Sequence, residues 1–132
     1  MSNKPIVLTH QFIAVVPAAG AGKRMLANCP KQYLTIDNET ILEHTVERLL
    51  SHPLINKVII ALSEGDEYYS RTSLVNNKHI ETVIGGKDRV DSVLAGLKRI
   101  DSLVYPWVLV HDAARPCVTH DDISALITQC IE

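Results

Sequence analysis

The chain has 132 residues, 46% of them hydrophobic and 21% charged, which fits one water-soluble globular domain with an ordinary apolar core. A net charge of −2 excludes a global electrostatic pull toward nucleic acid or an anionic membrane, so any anion site must come from local charge. Three cysteines, Cys29, Cys117 and Cys130, form no CxxC pair, and an odd count without metal spacing points to reduced thiols and a cytoplasmic setting. Near the start, the apolar run Ile6-Val7-Leu8 is too short for a signal-peptide core, and no apolar stretch approaches the ~20 residues of a membrane span.

In chain order, residues 11–16 (QFIAVV) form a continuous apolar run ending at Pro17, which predicts a buried strand. A Gly/Ala loop and a basic segment follow. Thr40-Ile41-Leu42-Glu43 is a capping box that opens a helix to about Ser51, with Ile41, Leu42, Val46, Leu49 and Leu50 on one face and Pro53 closing it. Residues 57–62 (KVIIAL) read as a second buried strand, 63–66 as a turn and 67–74 as a short helix. Residues 80–84 read as a third strand, stopped by Gly85-Gly86. An amphipathic helix is expected over 88–100, with Val90, Val93, Leu94, Leu97 and Ile100 as its apolar face. Residues 107–110 (WVLV) make a fourth strand. Thr119 caps a last helix whose inner face is Ile123, Leu126, Ile127 and Cys130.

Strands that are apolar throughout and alternate with helices predict an α/β fold: a mainly parallel sheet covered on both faces. Ligands of such sheets bind at the carboxyl ends of the strands. The first strand is followed by Pro17-Ala18-Ala19-Gly20-Ala21-Gly22-Lys23-Arg24-Met25, the third by Gly85-Gly86-Lys87-Asp88-Arg89, and the fourth by His111-Asp112-Ala113-Ala114-Arg115-Pro116.

The first of these segments has the makings of a phosphate cradle. Gly20 and Gly22 let the backbone bend and bring N–H groups close to an anion. Lys23, Arg24 and Lys31 place three positive charges within nine residues, and no acidic residue occurs from Pro17 to Ile36. Two common phosphate motifs are excluded. The P-loop requires glycine where Pro17 stands and Ser/Thr where Arg24 stands, and the dinucleotide fingerprint requires glycine at Met25. On these residues alone, a Gly/Ala turn beside an ordinary basic surface remains open.

With Cys29-Pro30-Lys31-Gln32-Tyr33-Leu34 added, the loop resembles the signature of the 2-C-methyl-D-erythritol 4-phosphate cytidylyltransferase family. The resemblance implies a three-layer Rossmann-like nucleotidyltransferase fold. It implies a loop, Pro17 to Gly22, that wraps the triphosphate of CTP, and a catalytic pair, Arg24 and Lys31, that stabilises charge at the α-phosphate. Lys23 follows as a further triphosphate contact. Gly85-Gly86-Lys87-Asp88-Arg89-Val90-Asp91-Ser92-Val93 is similar to the family's base-reading segment. Backbone groups at a Gly-Gly turn can meet the polar edge of a pyrimidine, a side chain at Gly86 would block that approach, and Ser92 can add a hydroxyl contact. Gly85, Gly86, Asp88 and Ser92 are therefore cofactor-binding candidates on the resemblance; on these residues alone, an ordinary strand-to-helix turn with a solvated Arg89 is the favoured reading.

Asp112 directly follows a buried strand, so its carboxylate faces the ligand crevice and can hold Mg²⁺, which prefers oxygen ligands. It matches the family's magnesium aspartate. Ala113 and Ala114 are small and leave room for a ribose. Arg115 is expected to form a structural ion pair. His111 has no partner at metal-ligand spacing and is expected to be a satisfied core histidine. The Tyr68-Tyr69 pair is expected to pack rather than to serve as a stacking platform.

The resemblance implies attack of a methylerythritol phosphate oxygen on the α-phosphorus of CTP, with pyrophosphate leaving. Anion attacking anion demands charge neutralisation and alignment more than a protein nucleophile. The implied partners are CTP and a polyol phosphate, with no nucleic acid and no membrane. Cytidylyl transfer to ribitol 5-phosphate, which shares the nucleotide site, is the alternative, as is a nucleotide-binding fragment without activity. The resemblance spans about residues 12–132 but only the first part of the family. A C-terminal part with acceptor contacts and the arm of a homodimer is thus expected to be absent here.

Overall fold

The structure is a computed structural model that describes residues 12–19, 31–86, 88–100, 108–111, 113 and 119–131, with Lys31 and 126–131 described in their backbone alone. Strand β1 spans Phe12–Ala18. A 3-10 turn over Lys31–Tyr33 leads into a small antiparallel hairpin of β2 (Thr35–Ile36) and β3 (Glu39–Thr40). Helix α1 follows at Ile41–Leu50, then β4 at Ile55–Leu62, β5 at Ile80–Ile84 and α2 at Arg89–Leu97. Strand β6 at Val108–Val110 and helix α3 at His120–Ile131 complete the described elements.

The main sheet has the order β5-β4-β1-β6, and all three pairings are parallel. β1 lies in register with β4 from Ile13↔Lys57 to Ala18↔Leu62 and with β6 from Ile13↔Val108 to Val15↔Val110. The β1–β6 ladder ends with the His111 N–H on the Val15 carbonyl, so the N–H that Pro17 lacks falls beyond that ladder.

Both faces of the sheet are covered at its centre, over β1 and β4, while β5 and β6 are partly exposed. Phe12, Ala14, Val16 and Ala18 of β1 join Val58, Ile60 and Leu62 of β4 in a cluster with Leu42, Val46 and Leu49 of α1 and Ile123 of α3. Their alternates Ile13, Val15, Ile59 and Ala61 are equally buried, on the face where α2 lies against β1 and β4. Burial on both faces is why these strands carry no polar alternation. The result is a three-layer α/β arrangement. Among the described residues no helix is long and apolar enough to cross a membrane.

Polar groups fix the joints. Thr40 caps α1: its hydroxyl accepts from the Glu43 N–H at 3.0 Å, and Glu43 Oε1 accepts from the Thr40 N–H at 2.8 Å. The other oxygen of Glu43 accepts from the Ser73 N–H and hydroxyl at 2.9 and 2.7 Å. Burial alone would raise the carboxyl's pKa, but the hydrogen bonds from Ser73 and Thr40 outweigh it and hold Glu43 below its ordinary value. Glu81 on β5 binds Lys57 of β4 at 2.8 Å and Arg99 just beyond α2. The hydrogen bond from Lys57, then that from Arg99, lowers its pKa.

Two expectations from the sequence are corrected, and one element is added. Residues 67–74 are not one helix but two 3-10 turns, Tyr69–Arg71 and Ser73–Asn76. Thr72 between them is extended (φ −89°, ψ 162°), which interrupts any continuous helical ladder, and its hydroxyl caps the second turn. The apolar stripe of α2 is not its core face. This helix turns small residues to the sheet: Ser92 and Gly96 are buried, whereas Val90, Leu94 and Leu97 are 66%, 48% and 37% exposed. A Cβ on Gly96 would lie 2.7 Å from Val15 Cγ1, so the helix approaches β1 too closely for a larger side chain there. The added element is the β2–β3 hairpin. Its strands are joined through Asp37 and Asn38, both left-handed (φ 54° and 72°), the backbone of a two-residue hairpin turn.

Candidate nucleotide site at the strand carboxyl ends

The chain runs from β1 outward to β4 and β5 and then returns to the other side of β1 for β6. The topological switch therefore lies between β1 and β6, where open parallel sheets bind ligands. Pro17 and Ala18 end β1, and Ala19 leads out of it. Gly85 and Gly86 leave β5, and His111 and Ala113 leave β6. All these candidates stand on the same edge of the sheet.

Two of the segments touch. A Cβ on Gly85 would lie 2.7 Å from Ala19 Cβ and 2.5 Å from Ser92 Oγ. The turn after β5 thus abuts the residue leading out of β1, although β4 separates the two strands. The Gly85 N–H donates to the Leu62 carbonyl at 2.7 Å, which ties the turn to the end of β4. On Gly86 a Cβ would meet Asp91 Cβ at 2.2 Å. Neither glycine has positive φ, so their necessity is spatial: α2's first turn occupies the volume a side chain would need. Asp88 is the N-cap of α2, and its N–H points to Asp91 Oδ2 at 3.4 Å.

Three buried polar side chains clamp the strand ends. Ser92, expected to offer the base a hydroxyl, is instead buried (1% exposed): it accepts from the Gly86 N–H at 3.2 Å and fixes the turn after β5. Gln32, on the 3-10 turn that begins with Lys31, donates from Nε2 to the Ala18 carbonyl at 2.9 Å and fixes the end of β1. Thr45 of α1 donates its hydroxyl to the Ala113 carbonyl at 3.1 Å and fixes the segment after β6. Buried polar groups persist where their hydrogen bonds are satisfied, and each of these three is spent on a backbone group at the candidate site. Ala113 itself is buried, and its methyl belongs to the core cluster. Sequence reasoning missed Gln32 and Thr45. Thr45 had a signal, since it interrupts the apolar face Leu42, Val46 and Leu49 of α1. Gln32 had none.

Gly20, Ala21, Gly22, Lys23, Arg24 and Asp112 lie outside the described residues, as does the side chain of Lys31. Among the described residues no group of three His, Cys, Asp or Glu side chains could hold a metal ion. His111 is half-buried and its N–H completes the β1–β6 ladder. Tyr68 stacks on Tyr33 with ring centroids 5.0 Å apart, and both Tyr68 and Tyr69 pack on the core.

A parallel sheet switching direction beside its first strand, with a Gly-Gly turn and the N-terminus of α2 at its carboxyl edge, defines a Rossmann-like α/β protein. The family model for 2-C-methyl-D-erythritol 4-phosphate cytidylyltransferase matches residues 12–132. The enzyme of that name from Colwellia psychrerythraea is 65% identical over 123 residues, covering 93% of this chain and 51% of the relative. The one from Vibrio vulnificus is 58% identical over 121 residues, 90% of this chain and 51% of the relative. The crystal structure of the Francisella tularensis enzyme superposes with a TM-score of 0.74 at 34% identity, over 92% of this chain and 52% of that one. The chain belongs to the 2-C-methyl-D-erythritol 4-phosphate cytidylyltransferase family, and it spans about half the length of the curated relatives it matches.

Proposed function

We propose that this chain supplies the CTP-binding part of a cytidylyltransferase acting on 2-C-methyl-D-erythritol 4-phosphate in isoprenoid biosynthesis, in the cytoplasm. The observation that carries the reading is the convergence of three segments on one sheet edge. Ala19 leads from β1 into the basic loop, Gly85 abuts it, and His111, which precedes Asp112, leaves the strand beside β1. In this reading the backbone from Pro17 and Ala18, which stand at the end of β1 rather than in the loop, through the loop to Gly22 holds the triphosphate, and Lys23 contributes a further contact. The Gly85-Gly86 turn, with Asp88 capping α2 and Ser92 bracing it, meets the pyrimidine edge through its carbonyls, since its N–H groups are taken by the Leu62 carbonyl and Ser92 Oγ. The Ala113 backbone lines the ribose side. Arg24 and Lys31 neutralise charge at the α-phosphate as the acceptor phosphate attacks it in line.

The donor chemistry at the end of β6 suits Mg²⁺. One carboxylate, Asp112, stands between His111, whose N–H is held by β1, and Ala113, whose carbonyl is held by Thr45. A single carboxylate with phosphate oxygens and water is the kind of oxygen set Mg²⁺ takes in nucleotide sites. Bound there, the ion would neutralise phosphate charge. The protein's share is to hold that residue's two neighbours, His111 and Ala113.

Calorimetric titration of the chain with CTP, UTP, ATP and GTP, with and without Mg²⁺, tests the reading. Preferential, Mg²⁺-strengthened binding of CTP is expected. A preference for ATP or GTP would exclude the cytidylyl assignment.

A further inference from the structure

The turn that carries Lys31 is anchored on two sides. On one, Gln32, 5% exposed, donates to the carbonyl of Ala18 at 2.9 Å. Ala18 is the last residue of β1, and the β1–β4 register ends there, at Ala18↔Leu62. On the other side, the buried Tyr33 donates its hydroxyl to Asp66 Oδ2 at 2.7 Å, and Asp66 Oδ1 accepts the N–H groups of Tyr68 and Tyr69 at 2.8 Å each. The Ile41 N–H, bonded to the Leu34 carbonyl at 2.8 Å, ties the following residue to the start of α1.

A primary amide buried among apolar side chains is costly unless its hydrogen bonds are made. Leucine or methionine would fill the same volume without that cost. The gain from glutamine here is geometric: it is a fixed-length strut between the residue after Lys31 and the last residue before the loop. Both ends of that strut adjoin groups assigned to one ligand, the triphosphate.

We propose that Gln32 is a positioning residue for Lys31, setting the distance between the Lys31 backbone and the mouth of the Ala19 loop so that both address the same triphosphate. This rests on the reading of Lys31 as a triphosphate ligand. Gln32 touches no substrate. It acts by holding the 3-10 turn against β1.

The test is a double-mutant cycle on the whole chain, titrated with CTP plus Mg²⁺ and, separately, with cytidine. The variants are Lys31→Ala, Gln32→Met and the two combined. CTP binding is expected to weaken about tenfold in each single variant and no further in the double, with cytidine binding unchanged throughout. Gln32→Glu keeps the length but offers no donor to the Ala18 carbonyl. It should behave as Gln32→Met does, and it serves in its place if the methionine variant misfolds. Normal CTP affinity in the Gln32 variants, losses that multiply in the double, or a parallel loss of cytidine affinity overturns the positioning role. Normal CTP affinity in Lys31→Ala overturns the reading of Lys31 itself, and the positioning role with it.

Discussion

The hydroxyl of Thr45, on the fully buried side of α1, donates to the carbonyl of Ala113 at 3.1 Å across 68 residues of chain. The bond crosses from the helix layer to the segment after β6, next to the aspartate read as the Mg²⁺ ligand. Thr45→Val keeps the shape and removes the donor, leaving a buried carbonyl unpaired. Such a loss costs about 1–3 kcal/mol. Urea unfolding of Thr45→Val should show that decrease with an unchanged m-value. Under the proposed function, the variant should also lose part of the Mg²⁺-dependent gain in CTP affinity while keeping its Mg²⁺-independent affinity. Unfolding at the wild-type midpoint would mean that the bond contributes nothing.

Gly96 sets two effects against each other. Glycine inside a helix is about 1 kcal/mol worse than alanine, so Gly96→Ala ought to stabilise α2. At this position the new Cβ would sit 2.7 Å from Val15 Cγ1 in the central strand. Overpacking a core costs about 1–3 kcal/mol, so the clash wins and Gly96→Ala should be net destabilising. Shrinking the neighbour identifies the cause. In the pair Gly96→Ala with Val15→Ala, the total loss measured by urea unfolding should be smaller than the sum of the single losses. Strict additivity would show that Val15 is not what Gly96 avoids.

The two central strands, β1 and β4, were legible in the sequence because they are buried on both faces, whereas β5 and β6 at the sides are partly exposed. A short unbroken apolar run such as Phe12 to Val16, closed by a proline, suits a buried strand far better than an amphipathic helix. The capping box of Thr40 and Glu43 was equally readable, since the residues that satisfy each other lie three apart. What escaped was set by distant partners. The stripe of Val90, Leu94 and Leu97 has the right spacing for a core face, yet the sheet takes Ser92 and Gly96 instead because Val15 leaves room only for small groups. Thr72 looks like any threonine in a helical stretch, and only its extended backbone shows that two turns meet there. At the strand ends, the Gly85-Gly86 turn was visible, but Gln32 and Thr45 were not. Their roles depend on carbonyls 14 and 68 residues away.

A histidine pair couples α1 to α3 and should make stability depend on pH. His52, 3% exposed, accepts the Leu54 N–H on Nδ1 at 3.1 Å, which leaves Nε2 to donate to Ser124 Oγ at 2.9 Å. His120 lies edge-on to it at 5.4 Å and bonds Ser51. Burial, then the neighbouring His120, lowers the pKa of His52 from its ordinary 6.5. The unfolded chain therefore binds a proton at higher pH than the folded one does. The stability tied to His52 is complete above about pH 6.5 and is lost as the pH falls from there through the lowered folded value. Thermal unfolding of the wild type between pH 7.5 and 5 should show this decline. His52→Gln should be less stable at pH 7.5 but flatter across the interval. An equally steep decline in the variant would assign the effect to other groups.

Under the proposed function, Arg24 and Lys31 carry the heaviest chemical assignment. Attack by a phosphate oxygen on the α-phosphorus brings negative charges together, and no covalent intermediate relieves them. Preorganised cations must act where charge develops, and removing one such group typically costs about 10²–10³ in rate. Each single alanine substitution, made in a polypeptide of the family's full length that turns over, should lower kcat by at least that factor. A residue that only bound CTP in the ground state would instead raise KM and leave kcat intact. Pyrophosphate release followed at saturating CTP and acceptor separates the two cases. If kcat stays within about threefold of wild type in one variant, a change worth well under 1 kcal/mol of barrier, that residue leaves the catalytic pair and becomes a binding residue.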